Sequence, residues 1–510
     1  MVDPDINDTE VFDIQGVTRL FKRRLGGRSL VIVSNREPYA HYRVSGKVCC
    51  QRPAGGLTAA LDPVMQVLGG TWVAWGSGSA DRDTVDERGK VRVPPAEPRY
   101  TLKRIWLSDE EVEGYYFGFS NRVLWPLFHM LPERIEPSRG FWQFYERVNR
   151  KFAKAVVVEA NPEDLLFIQD YHLALLPEMV RASRPEVETG LFWHIPWPPY
   201  DIFRFCPHRR RLLQGLLGAD LLGFQTPRYA HNFLDCVRSE VGALVDFEAQ
   251  QVTYRGHKTR VGSYPISVDY KQFATLATSE RTLRRMQRIT RWLGLEGRRV
   301  GIGVDRLDYS KGILQRLEAL DRFLERFPQY REQLVFVQVA VPSRTEIGQY
   351  RQLSKEVASR VEALNAKYMN DRWKPIRYFD RPFDHQTLAA LYRLADFAMV
   401  TSFYDGMNLV AKEYIACQVD EAGVLLLSET AGAYEDLGEA VPLNAVDPEK
   451  MVEAIWRALE MPETEKRGLM RVMRRRLMKD NIYSWMVGIL GAIAGEEVPS
   501  KKTDARRSRS

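Results

Sequence analysis

The sequence predicts an α/β protein with two Rossmann-like domains, and three observations carry that expectation. Short β-branched or aliphatic runs alternate with amphipathic stretches along most of the chain, the mark of parallel sheets built from strand–helix–strand units. The 510 residues exceed the roughly 250 to 300 at which a single core stops growing. No repeat of fixed period competes with the alternation.

Taken in order, residues 1 to about 28 mix acids and then bases with little apolar periodicity and read as a poorly ordered extension. Buried strands follow at Leu30 to Val33, Thr71 to Trp75, Leu165 to Ile168, Gly190 to Trp193 and Leu221 to Phe224. The charged stretch Ala80 to Pro98 reads as a solvated loop or hairpin, and a hairpin turning at Arg255, Gly256 and His257 closes this half. The boundary falls near Tyr264 to Asp269, giving a first domain over 29–268 and a second over 269–479. A long helical stretch, Tyr270 to Leu293, opens the second half. Its strands are Val300 to Val304, Leu334 to Val341, Ile376 to Phe379, Phe397 to Thr401 and Val424 to Ser428. A last helical run, about Glu463 to Ala494, is long enough for its end, 480–495, to pack back on the first domain. Residues 496–510 read as a basic disordered tail.

Composition narrows the function. Hydrophobic residues at 45% and charged residues at 27% exclude a fibre or a disordered chain. The net charge is +7, and four of those charges come from the final ten residues, KKTDARRSRS. The remaining body is nearly balanced, which argues against a nucleic-acid-binding face. No apolar run reaches the ~20 residues of a membrane span, and Asp3, Asp5, Asp8 and Glu10 stand where a signal peptide would be cationic. The chain reads as cytoplasmic. The five cysteines lack C-x-x-C spacing and paired histidines, so reduced thiols are expected, with no zinc site.

The chemistry gathers after the strands, where doubly wound sheets bind ligands. Behind Val300 to Val304 comes Asp305-Arg306-Leu307-Asp308-Tyr309-Ser310-Lys311-Gly312, then a helix with an apolar face. Arg306 and Lys311 thus sit at a helix entrance, beside free amides and the positive end of the dipole. Behind Phe397 to Thr401 comes Ser402-Phe403-Tyr404-Asp405-Gly406-Met407-Asn408, followed by the helix that starts Leu409-Val410-Ala411-Lys412-Glu413. The amides of that start suit a diphosphate, and a carboxylate at Glu413 suits sugar hydroxyls. In the first half, Gly55 and Gly56 precede a helix over Thr58 to Leu68 and allow close backbone approach to an anion. The dinucleotide fingerprint G-x-G-x-x-G is absent, which removes the usual mark of nicotinamide or flavin chemistry.

Together these strings resemble a known family. SNR at Ser34 to Arg36, GGL at Gly55 to Leu57, YY at Tyr115 and Tyr116, FSNRVLWPLFH at Phe119 to His129, QDYHL at Gln169 to Leu173, HIPWP at His194 to Pro198, DRLDYSKG at Asp305 to Gly312 and DGMNLVAKEY at Asp405 to Tyr414 are similar to trehalose-6-phosphate synthases, from about residue 29 to 490. The resemblance implies a GT-B fold, two Rossmann-like domains facing across a cleft. It implies retaining transfer of glucose from a nucleoside-diphosphate-glucose, UDP-glucose among the candidates, to glucose 6-phosphate, giving α,α-trehalose 6-phosphate without metal or other cofactor. Its partners would be these two substrates, and a homo-oligomer is possible. By motif, the donor falls to Gly55, Gly56, Arg306, Lys311, Phe383, Met407, Asn408, Leu409, Val410, Ala411, Lys412 and Glu413. The acceptor falls to Arg36, Trp75, Tyr116, Asp170 and Arg344, anomer selectivity to Trp125 and Ile195, and the catalytic roles to Arg306, Lys311, Asp405 and His194. As loop cations, Arg306 and Lys311 are expected to contribute little to the core.

Two departures bear on specificity. The family commonly has Pro and Arg where this chain has Ser402 and Tyr404, a change beside the donor. The loop Glu37 to Arg52 is long, and its EPY start resembles glucosylglycerol-phosphate synthases, a sister group that uses glycerol 3-phosphate. Gly55-Gly56 and Asn35 favour the trehalose branch. The other open alternative is a catalytically silent regulatory paralogue, against which the intact Arg306, Lys311, Asp405 and Glu413 argue. No second catalytic domain fits in the residues left over, so a fused phosphatase is not expected.

Overall fold

The computed structural model describes Thr18, Phe21, residues 28–52 and residues 56–495. Most of the expected extension, the Gly55 position and the basic tail lie outside the described residues, although Phe21 is buried against the first core.

The first sheet has ten strands: β1 (Leu30–Arg36), β4 (Thr71–Trp75), β5 (Lys90–Val93), β6 (Tyr100–Ile105), β7 (Leu165–Gln169), β8 (Glu188–Phe192), β9 (Leu221–Phe224), β10 (Leu244–Asp246), β11 (Gln251–Tyr254) and β12 (His257–Ser263). Their order is β10-β11-β12-β9-β8-β7-β1-β4-β6-β5. The inner strands are parallel and their near-continuous apolar sequences are buried on both faces, whereas β5, β10 and β11 pair antiparallel at the edges. The β11–β12 turn holds Arg255 and Gly256 at φ 50° and 82°, the left-handed pair that a two-residue hairpin requires.

The second sheet has six strands: β13 (Arg299–Arg306), β14 (Leu334–Val341), β15 (Ile376–Phe379), β16 (Phe397–Val400), β17 (Val424–Ser428) and β18 (Val441–Leu443). All run parallel in the order β15-β14-β13-β16-β17-β18. In each sheet the chain goes one way from a central strand and returns to build the other side. The reversals fall between β1 and β7 and between β13 and β16, and these switch points are where such sheets leave a crevice.

Four local expectations are corrected. The loop after Arg36 is a hairpin, β2 (Ala40–Val44) with β3 (Lys47–Gln51). The stretch Ala80 to Pro98 is only partly solvated: β5 joins the sheet, and Asp81 is buried against Arg104, which also binds Glu37 at 2.7 Å. The helix over Tyr270 to Leu293 breaks at Ser279, whose hydroxyl caps the second piece, Glu280–Leu293. The last run breaks at Asp480 and Asn481 into Glu463–Lys479 and Ile482–Ile493. The second piece lies on the first sheet, with Trp485 packed on Phe167 and Phe192 and Ile493 filling the space that Gly190 leaves open.

Candidate active site

The site forms where the two switch points face one another. β1 ends in an irregularity between Ser34 and Arg36 that re-aims the strand end. The Ser34 hydroxyl receives the Trp72 indole N–H and donates to the Arg36 carbonyl at 2.7 Å. Arg36 thereby reaches Tyr116, donating to its hydroxyl at 2.7 Å. Tyr116 sits in the widened helical turn Val112–Leu124, where the Trp125 N–H bonds Ser120 five residues back, a form that recurs at functional sites. Trp75 and His172 flank its ring, the latter stacked at 5.8 Å.

β13 delivers Arg306 and β16 delivers the Asp405 loop. Arg306 and Arg344 both lie over the Trp125 ring, at 5.2 and 3.9 Å. Arg344, a buried residue at φ 50°, is held by Tyr350 at 2.6 Å and by Asp308 and the Tyr171 hydroxyl, each at 3.3 Å. Burial alone would push the Tyr116 phenol up, but Arg36, then Arg344 and Arg306, outweigh it and bring the phenol down to about 8. Arg36 binds this hydroxyl directly and the charges of two further guanidinium groups act on it, which is the electrostatics of an anion site.

On the other side Lys311 pairs with Asp405 at 2.6 Å. Burial works against the Asp405 charge; Lys311 first, then His129 and Asn408, hold the carboxyl below its ordinary range. Ser402 and Asn408 donate to the same Asp405 oxygen. Lys311 is buried rather than a free loop cation, which corrects the expectation that it contributes little to the core. Gly312, at φ 62°, lets this turn lie against the Thr401 carbonyl.

Asn408 caps the helix Leu409–Cys417 through the Ala411 N–H, leaving the Leu409 and Val410 amides at its start without intrahelical partners. Met407 is buried beneath them. Glu413 receives the Tyr392 hydroxyl at 3.1 Å, and burial raises its carboxyl to about 7. The Lys412 ammonium is engaged by the Ile266 carbonyl and Asp436. Phe383 lies on the loop after β15, against Phe379. Gly56 opens the helix Gly56–Leu68. Tyr404 packs on Tyr229, whose hydroxyl bonds the Asp405 carbonyl.

Asp170 ends β7 at φ 74° and accepts the His194 N–H at 3.2 Å; burial lifts its carboxyl to about 7. His194 Nε2 lies 2.9 Å from the Gln169 side-chain oxygen, and burial keeps its imidazole neutral, at about 3. Nε2 therefore carries the proton and Nδ1 remains an acceptor. The His194 and Ile195 backbone meets Gly406 across the cleft so closely that no side chain fits there.

Sequence reasoning missed Asp308, Tyr171 and His172, which stand in the quoted DRLDYSKG and QDYHL strings, and Tyr350, which no motif marks. Among the described residues no group of three His, Cys, Asp or Glu side chains is placed to hold a metal ion. No helix among them is long and apolar enough to cross a membrane.

The family model for glycosyltransferase family 20 matches residues 28–494. A bifunctional trehalose-6-phosphate synthase/phosphatase of Thermoproteus tenax is 40% identical over 467 residues, 89% of this chain. The chain spans 62% of that relative's length. A trehalose-6-phosphate synthase of Mycobacterium marinum is 38% identical, with 94% of this chain and 96% of the relative covered. The solved α,α-trehalose-phosphate synthase (UDP-forming) of Burkholderia xenovorans, in complex with glucose-6-phosphate, superposes with a TM-score of 0.83 at 32% identity, covering 92% of this chain and all of that one. The two α/β units facing across a cleft are accordingly the GT-B fold.

Proposed function

Because this chain belongs to glycosyltransferase family 20, we propose that it transfers glucose from UDP-glucose to glucose 6-phosphate with retention, forming α,α-trehalose 6-phosphate. One observation carries this reading: Arg36, Arg306 and Arg344 converge on Tyr116 and Trp125, opposite the Lys311–Asp405 pair, at the facing switch points of two doubly wound sheets.

In this reading Arg36, Tyr116 and Arg344 hold the acceptor phosphate, with Trp75 beside it. Trp125 and Ile195 shape the acceptor pocket for one anomer. Arg306, Lys311 and the amides of Leu409 and Val410 stabilise the charge that develops on the leaving diphosphate, while Gly56, at the start of its helix, gives it a close backbone on the other side. Glu413 accepts from the ribose hydroxyls and Phe383 packs near the base. Asp405 is saturated on one oxygen by Lys311, Ser402 and Asn408, which suits a contact to a sugar hydroxyl better than nucleophilic attack. Neutral His194 offers Nδ1 to a hydroxyl of the transferred glucose. The acceptor proton passes to the departing phosphate on the same face, so configuration is retained without a protein nucleophile.

The EPY start of the hairpin does not favour glycerol 3-phosphate. Glu37 serves the buried Arg104 and Tyr39 donates to Asp62 at 2.9 Å, so both anchor the hairpin. The deciding assay offers purified protein UDP-, ADP- and GDP-glucose with glucose 6-phosphate or glycerol 3-phosphate and measures nucleotide release. Release with UDP-glucose and glucose 6-phosphate is expected. Release only with glycerol 3-phosphate, or with no pair, overturns the reading.

A further inference from the structure

Beneath the site lies a buried cation that no step above uses. Arg316, one turn into the helix Ile313–Arg326, is fully enclosed between β13, β14 and β16. Its Nη1 donates to Asp305 at 2.7 Å and to the Gln338 side-chain oxygen at 3.0 Å, and its Nε donates to the Thr401 hydroxyl at 3.2 Å. Gly303 makes the room, since a side chain there would strike Nη1. Packing alone does not account for this residue. The helix start is positive and opposes a guanidinium, only one carboxylate compensates it, its Nη2 has no partner, and an apolar side chain would fill the space at lower cost.

The arrangement at Thr401 supplies the reason. A threonine hydroxyl has one proton, and accepting from Arg316 directs that proton toward the Lys311 and Gly312 carbonyls, at 2.9 and 3.1 Å. Thr401 is the residue from which the Asp405 loop departs, and Lys311 and Gly312 close the Arg306 loop. The two loops are tied at their roots by this hydroxyl and at their tips by Lys311 and Asp405 at 2.6 Å.

We propose that Arg316 is a positioning residue which, through the Thr401 hydroxyl, sets the placement of the Lys311 turn against the Asp405 loop and so controls turnover. The inference deepens the proposed transfer reaction and rests on it. Thr401→Val removes the hydroxyl at nearly constant shape. It should lower kcat about tenfold or more, because small misplacements of catalytic groups are costly, while KM for both substrates stays within about twofold. Thr401→Ser should restore most of the turnover. Arg316→Lys keeps the charge but loses the fork that serves Asp305 and Thr401 together, and should behave like Thr401→Val. Hydrogen exchange gives a readout independent of transfer: the Phe403 amide, bonded to the Ser310 carbonyl at 2.8 Å, should exchange about five- to tenfold faster in Thr401→Val and not in Thr401→Ser. Wild-type turnover in Thr401→Val, equal damage from Val and Ser, or a loss confined to KM overturns the proposal. Inactive wild-type protein with the exchange pattern intact would remove the transfer reading and leave the positioning role standing.

Discussion

Arg36 donates to the Tyr116 hydroxyl at 2.7 Å, joining the end of the first strand to a widened helical turn 80 residues later in the chain. Arg344 and Arg306 add their charge from the second domain, and the phenol stays near 8 in spite of burial.

In the proposed reading a phosphate bound here is already a dianion above a pH of about 6, and the Asp170 carboxyl, lifted to about 7, is largely ionised by pH 8, so a change in acceptor binding between pH 8 and 9 belongs to Tyr116. The neutral phenol can donate to phosphate; the phenolate repels it. The KM for glucose 6-phosphate should therefore rise from about pH 8 upward. Tyr116→Phe should raise that KM about tenfold or more at neutral pH, the loss of one hydrogen bond to a charged group, and should abolish the alkaline rise. Steady-state kinetics across this range, with the donor saturating, decide it.

Lys311→Ala removes the cation that holds the buried Asp405 carboxyl below its ordinary range. Turnover should fall by a factor of roughly 100 to 1,000, the size of a lost charge-stabilising contact. Stability should fall as well. A carboxyl with a depressed folded value contributes stability above its unfolded value of about 3.9, lost as pH drops through the folded value. The melting temperature of the variant should lie below wild type at pH 7, and the gap should narrow under about pH 4. A constant gap down to pH 2 would show that the pair is not its source.

Glu413 carries the opposite sign. Burial raises its carboxyl to about 7, so the folded state favours the protonated form. That stabilisation is fully present below the unfolded value of about 4.3 and is lost as pH rises through the folded value. Glu413→Gln should therefore be more stable than wild type at pH 8, by on the order of 3 kcal/mol, and melt no higher than wild type at pH 4. The same change should raise the donor KM at pH 8, since an amide accepts less strongly from ribose hydroxyls. Calorimetry at the two pH values and donor titrations test both statements.

Gly406 is a steric prediction. A Cβ at this position would collide with the His194 carbonyl across the cleft. Gly406→Ala should hold the two domains apart, cutting kcat/KM about a hundredfold or more with little change in melting temperature. A crystal structure of the variant showing the same close approach, or an unimpaired rate, would remove the closure argument.

What was legible in the sequence follows from periodicity and local chemistry. Inner strands such as Leu334–Val341 are long apolar runs whose bounds follow from composition. Arg306, Lys311, Asp405 and Glu413 stand beside strand ends and helix starts, so their loops could be read one at a time. The edge strand Lys90–Val93 and the hairpin over Ala40–Val44 and Lys47–Gln51 alternate polar and apolar residues too weakly to be told from loops. Asp81 looks like one acid in a charged run, and only its distant partner Arg104 makes it a core residue. Tyr350 reaches Arg344 from the first turn of the helix Gly348–Tyr368; its role depends on packing between elements, which no local pattern encodes. The breaks at Ser279 and Asn481 each fall at a residue whose side chain caps the following helix, a local signal hidden by the apolar periodicity that runs through both stretches.

The return of the helix Ile482–Ile493 to the first sheet means that the chain passes between the domains twice. The two passages are bonded to one another: the Ile482 N–H donates to the Val268 carbonyl at 3.1 Å, the Tyr483 hydroxyl to Asp269 at 2.6 Å and the Trp485 indole to the Tyr264 carbonyl at 2.9 Å. A single linker would let one domain swivel about any axis, whereas two parallel linkers laced together act as a door hinge. Such a pair favours rotation about the line through it, so in the proposed reaction any opening and closing of the cleft would follow one path and return the same pairs of residues to register.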